Sequence, residues 1–139
     1  MKRTYVIAVI GLTLALAACS SGSKPTSSPS PSVSSRPAST AKLTIVSPTP
    51  GQVVSTEGVI VKVSLEGATL AKQASTTLRP DQGHVHLLVD AKTITLLGAL
   101  EVSTGPLTPG PHLIEVEFAA NDHGPFNPRV LAQVSVRAE

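Results

Sequence analysis

The sequence predicts an all-β fold: an immunoglobulin-like antiparallel β-sandwich of about seven strands over residues 42–139, preceded by a signal peptide and a Ser/Pro-rich linker. Three observations carry that prediction. From Lys42 onward, apolar and polar residues alternate over short runs, as half-buried strands require. Clusters of Pro and Gly separate the runs at regular intervals. No segment sustains a helical period.

Taken in order, Leu43-Thr44-Ile45-Val46 opens the domain and stops at Ser47-Pro48-Thr49-Pro50-Gly51. Val59, Val61, Val63 and Leu65 alternate with Ile60, Lys62, Ser64 and Glu66, which predicts a strand with one buried face. Residues 67–82 show no period and read as a long loop. The run from Gly83 to Asp90 is the next strand, with Val85, Leu87 and Val89 facing the core. Thr93 to Ser103 reads as one further strand with Ile94, Leu96, Leu100 and Val102 on one parity and a bulge or bend at Gly98. A strong strand over 112–119 points Ile114, Val116 and Phe118 inward and Glu115 and Glu117 outward. Ala119 to Pro128 reads as a loop. Val130, Ala132, Val134 and Val136 line the inner face of the last strand.

The chain ahead of the domain has a different composition. Lys2 and Arg3 form a basic start, Tyr5 to Leu16 an apolar core, and Leu16-Ala17-Ala18-Cys19 a small-residue cleavage site. The apolar run is shorter than the ~20 residues that span a bilayer. This segment resembles a bacterial lipoprotein signal peptide with its lipobox. The resemblance implies that residues 1–18 are removed and that Cys19 becomes a lipidated N-terminus. The chain is then exported and anchored to the cell membrane or the outer membrane, with its domain facing outside the cytoplasm. Cys19 is the sole cysteine, so no disulfide is expected and the core must supply stability. Residues 19–41, rich in Ser, Pro and Thr, have little to bury and read as an extended tether.

Charge narrows the partners. The whole chain carries a formal +2, but four of its eleven Lys and Arg residues precede Lys42. Seven then stand against nine Asp and Glu, so the domain is slightly acidic and shows no basic patch for nucleic acid.

The four histidines are the candidate chemistry. His84 and His86 share one strand face, roughly 6–7 Å apart at ~3.3 Å per residue, close enough for both imidazoles to reach one ion. In an immunoglobulin-like topology the start of that strand and the turn holding His123 lie at the same end. His84, His86 and His123, with Asp122 or Asp81 in support, are therefore expected to converge in an exposed rim site. Imidazoles plus a carboxylate suit Cu(II) or Zn(II). Binding needs neutral rings, so affinity is expected to fall as pH drops through ~6.5. The alternative reading is that these histidines lie at solvated strand ends and turns with no ligand.

His112 reads differently. The step Leu107-Thr108-Pro109-Gly110-Pro111-His112 resembles the corner before the penultimate strand of fibronectin type III domains, where an aromatic side chain bonds back to the backbone. The parity of His112 matches buried Ile114 and Val116, so a structural corner is expected, at the opposite end from the other three.

Residues from Gly83 onward resemble a family of uncharacterised exported bacterial proteins, described only as a domain of unknown function. The shared motifs are His84-Val85-His86-Leu87-Leu88-Val89-Asp90, Leu107 to His112, and Asp122-His123-Gly124-Pro125. The family often carries three successive histidines at the strand start, and Val85 replaces the middle one here. The resemblance implies a fold and no established activity.

Two function classes remain after these exclusions. One is a metal-binding surface lipoprotein; the other is a non-catalytic structural or interaction module that meets another envelope protein. An enzyme is not expected: the chain has no Gly-x-Ser-x-Gly elbow, no cysteine nucleophile and no paired carboxylates. Sugar binding is not favoured either. The domain's only aromatics are Phe118, of core parity, and Phe126, which reads as a loop contact or a cover for the sandwich end.

Overall fold

The computed structural model describes residues 36–97 and 99–139. The expected signal peptide, the expected lipidation site Cys19, the expected tether up to residue 35, and Gly98 lie outside the described residues. Among the described residues nine strands run in order: β1 (Lys42–Ser47), β2 (Val53–Val54), β3 (Ile60–Glu66), β4 (Thr69–Leu70), β5 (Gln82–Val89), β6 (Lys92–Leu97), β7 (Glu101–Ser103), β8 (Gly110–Ala120) and β9 (Pro125–Ala138). One sheet has the order β1-β3-β7. The other has the order β2-β9-β8-β5-β4, with β6 also pairing β5. This is an all-β sandwich of immunoglobulin-like type.

Alternation builds its core. Leu43, Val61, Val63 and Val102 from the smaller sheet face Val85, Leu87, Ile114, Val116, Phe118, Val134 and Val136 from the larger. Each fully buried Leu, Ile or Phe contributes about 1.5–3 kcal/mol. Phe126 is buried at 2 % exposure and stacks on Phe118 with ring centroids 5.6 Å apart. It closes the core and is not a contact residue at the surface.

Several expected boundaries moved, each for a local reason. The stretch 93–103 divides into β6, paired with β5, and β7, paired with β3. The chain changes sheet between them, which resets the parity: Val102 is buried, but Ile94 and Leu100 are exposed. The 67–82 stretch contains β4, which pairs parallel with β5 at Gln82 and Gly83, and β2 pairs parallel with β9. These two short pairings make the sandwich not wholly antiparallel and raise the strand count. The expected loop 119–128 shrinks to a turn at 121–124, because β8 runs to Ala120 and β9 begins at Pro125. Prolines are tolerated early in β9 because β2 covers that strand only at Arg137 and Ala138. Near Pro125 and Pro128 the uncovered side meets residues before β1 instead: the Asn127 N–H donates to the Pro37 carbonyl over 3.0 Å.

The same preceding segment touches the sandwich elsewhere. Thr40 Oγ1 donates to the Gly67 carbonyl, and Ser39 Oγ to that of Pro80.

Candidate functional site

β5 places His84 and His86 on the outer face of the larger sheet, opposite Ala119 and Glu117 of β8. The strands close tightly here. A Cβ on Gly83 would lie 2.0 Å from the Ala119 carbonyl oxygen, so only glycine permits the approach. His123 comes from the β8–β9 turn, which is closed by the His123 N–H donating to the Ala120 carbonyl (2.8 Å). Its backbone sits at φ 62°, a left-handed conformation that costs a non-glycine residue about 1–2 kcal/mol.

That strained turn lays the His123 ring over both strand histidines. Its centroid is 4.4 Å from that of His84 and 5.5 Å from that of His86, with planes inclined by 15° and 18°. His86 Nε2 lies 3.2 Å from His123 Nδ1, a hydrogen bond in which one ring donates and the other accepts. His84 Nε2 is buried and has no hydrogen-bond partner among the described residues. The three histidines thus come together. The site is less exposed than an open rim, because His84 and His86 are only 6 % and 8 % accessible, with His123 as their exposed cover.

Burial sets the charge state. Desolvation pushes the His84 ring below the usual imidazole range, and the neighbouring His123 pushes it the same way. Desolvation is also the main effect on His86, which is lowered although the Glu117 carboxylate pulls it upward. Both shifts favour the neutral ring, the form a metal ligand needs.

Neither expected carboxylate faces this cluster. Asp122 is gripped by Arg36, whose Nη1 and Nη2 donate to Oδ2 and Oδ1 at 2.8 Å each; its Oδ1 also accepts the Gly124 N–H. The guanidinium holds the Asp122 carboxyl well below the usual range. Asp81 pairs with Arg79 at 3.2 and 3.3 Å. The expected imidazole–carboxylate set therefore reduces to imidazoles, because arginines occupy both acids. Among the described residues, no group of three or more His, Cys, Asp or Glu side chains stands in metal-holding geometry.

Glu117 differs from expectation as well. It points outward but is buried, and it forms a two-bond fork with Arg129 (Nε–Oε1 2.9 Å, Nη2–Oε2 2.8 Å). Alternation gave its face correctly; the fork that covers it comes from Arg129 of the neighbouring β9, which alternation within β8 does not reveal.

His112 occupies the other end of β8, seven residues from Ala119, or about 23 Å along the strand. Its Nε2 donates to the Thr108 carbonyl over 2.7 Å, and its Nδ1 faces Asp90 Oδ2 at 2.7 Å. Asp90 also accepts the Leu113 N–H over 2.9 Å. The corner contact runs back four residues, from His112 to Thr108, and the Asp90 carboxylate adds a second contact.

No family model and no curated protein matches the chain. Among solved structures, one chain from the fibronectin(III)-like modules of Clostridium thermocellum CbhA is similar, with a TM-score of 0.46 and 14% identity over 70% of this chain and 95% of that one. The strand pairing of this chain alone defines its two-sheet architecture.

Proposed function

We propose that this chain is an exported, lipid-anchored β-sandwich protein that binds Cu(II) or Zn(II) through His84, His86 and His123, and that it belongs with the exported family whose motifs it shares. Cys19 carries the anchor in this reading, and the sandwich is a binding module without catalytic machinery. The observation that carries the metal reading is the nitrogen geometry. Two ligands each about 2.0–2.1 Å from a tetrahedral ion lie roughly 3.3 Å apart. His86 Nε2 and His123 Nδ1 are already 3.2 Å apart. His84 Nε2 is a buried nitrogen with nothing to bond, the kind of group for which an ion is one explanation. An ion bound here would be held by His86 Nε2 and His123 Nδ1 in place of their hydrogen bond, with His84 Nε2 as the third ligand. The lowered His84 and His86 place the loss of affinity at lower pH than free imidazole would.

A second reading has its own observation. The His86–His123 bond and the ring stack tie the β8–β9 turn to β5 without any ion. On that reading the cluster is a structural lock in an interaction module. Isothermal titration of Cu(II) and of Zn(II) into the full chain separates the two, alongside a His84→Ala/His86→Ala variant. Micromolar or tighter 1:1 binding that the variant loses supports the metal site. Heat from neither ion, or binding that the variant keeps, supports the lock.

A further inference from the structure

The segment ahead of β1 is more than a tether at its end, because it reaches the turn that presents His123. Arg36 donates through Nη1 and Nη2 to both oxygens of Asp122. Its Nε donates to the Pro125 carbonyl. Thus one guanidinium bonds both sides of the His123-Gly124 pair. The next residue, Pro37, accepts from the Asn127 N–H at the start of β9. Gly124 makes room for this grip: a Cβ there would stand 2.7–2.8 Å from Arg36 Nη1, Nη2 and Cζ. Its backbone is not left-handed, so the need is for space and not for φ. Asp122 in turn accepts the Gly124 N–H and stiffens the loop from within.

His123 is the one site histidine outside a strand, and its left-handed backbone must be held by something other than sheet pairing. We propose that Arg36 is a positioning residue for the histidine site: the chain preceding the sandwich clamps the β8–β9 turn and so fixes His123 against His84 and His86. The consequence for metal binding rests on the reading above; the clamp itself does not. Arginine suits the task because its planar fork matches a carboxylate in two bonds, which lysine cannot reproduce.

The test uses the full chain in detergent, as wild type, Arg36→Ala, Arg36→Lys and Gly124→Ala. Two quantities are read: Cu(II) affinity by titration, and the ring contact between His86 and His123 in metal-free protein by nuclear Overhauser effects. Dispersed amide spectra establish that each variant is folded. Orienting partners of metal ligands typically account for 10–100-fold in affinity. Arg36→Ala is therefore expected to weaken Cu(II) binding about tenfold or more and to erase the ring contact. Gly124→Ala, which displaces the guanidinium, should act in the same direction, and Arg36→Lys should fall between. An unchanged ring contact in folded Arg36→Ala overturns the clamp, whatever the affinity. A wild type that binds no ion, with a ring contact that Arg36→Ala loses, overturns the metal reading and upholds the clamp.

Discussion

The two ends of the β5–β8 pair each bury histidine, and they treat it in opposite ways. At one end both ring nitrogens of His112 face acceptors, the Thr108 carbonyl and the Asp90 carboxylate, an arrangement that favours the protonated ring. The Thr108 bond and then the Asp90 bond raise it above the ordinary imidazole value. At the other end desolvation is the main effect on His84 and His86; it outweighs the Asn121 backbone bond that favours charge on His84 and the Glu117 carboxylate that favours it on His86. Burial lowers both. Exposure is nearly the same, 6–8 % for all three. The lesson is that burial does not set a histidine's charge by itself; the balance between desolvation and the acceptors within reach decides. A ring with two acceptors serves as a fixed corner. A ring with an idle nitrogen is free to take a ligand.

The largest expected effect lies at the corner. His112→Ala removes a charge-assisted bond and leaves the Thr108 carbonyl without its donor, so denaturant unfolding should show a loss of about 1.5–3 kcal/mol. The half-exposed Asp90 keeps the cost at the lower end, since water resolvates its carboxylate. His84→Leu should behave in the opposite way. It replaces an unpaired buried nitrogen with apolar volume, and the metal-free protein should be unchanged or up to about 1 kcal/mol more stable. A large loss from His84→Leu would erase the contrast between the two ends.

His123→Gly sharpens the comparison further. Glycine relieves the left-handed backbone by about 1–2 kcal/mol, while the lost hydrogen bond costs about 0.5–1.5. Stability should move by no more than about 1.5 kcal/mol, and Cu(II) binding should disappear. A substitution that spares the fold and abolishes binding distinguishes a ligand from a lock.

The smallest effect is in the pH profile of stability, where the two ends have opposite signs. His112 is raised above 6.5 in the folded state, so its contribution is complete below that value and fades as pH rises through the folded value. Asp90 is lowered from 3.8, chiefly by the Leu113 N–H and then by His112, so its share persists above 3.8 and fades as pH falls through the folded value. His84 and His86 are lowered, so the unfolded chain binds protons first and stability declines as pH drops below 6.5 toward their folded values. His112→Ala should flatten the alkaline limb of a stability profile, and His84→Leu the acid limb.

These contrasts were only partly legible in the sequence. Period-2 alternation located Val61, Val85, Leu87, Ile114 and Phe118 in the core, because a strand's parity is fixed locally. It failed at Ile94 and Leu100, where the chain changes sheet and parity restarts. The meeting of His84, His86 and His123 followed from topology, because the start of β5 and the β8–β9 turn share one end of the sandwich. What composition could not reveal was the competition for carboxylates. Arg36 belonged by composition to the linker, and nothing local pairs it with Asp122, 86 residues away. Glu117 likewise reads as solvent-facing until Arg129 from the neighbouring strand covers it. Phe126 sat among prolines that hid the first turn of β9.

The most direct test of the account is a residue-by-residue NMR titration of His84, His86 and His112 in the metal-free full chain. The account predicts that His112 titrates above 6.5 and that His84 and His86 titrate below it. Three superimposed curves near the free-imidazole value, or His112 titrating below the strand pair, would contradict it.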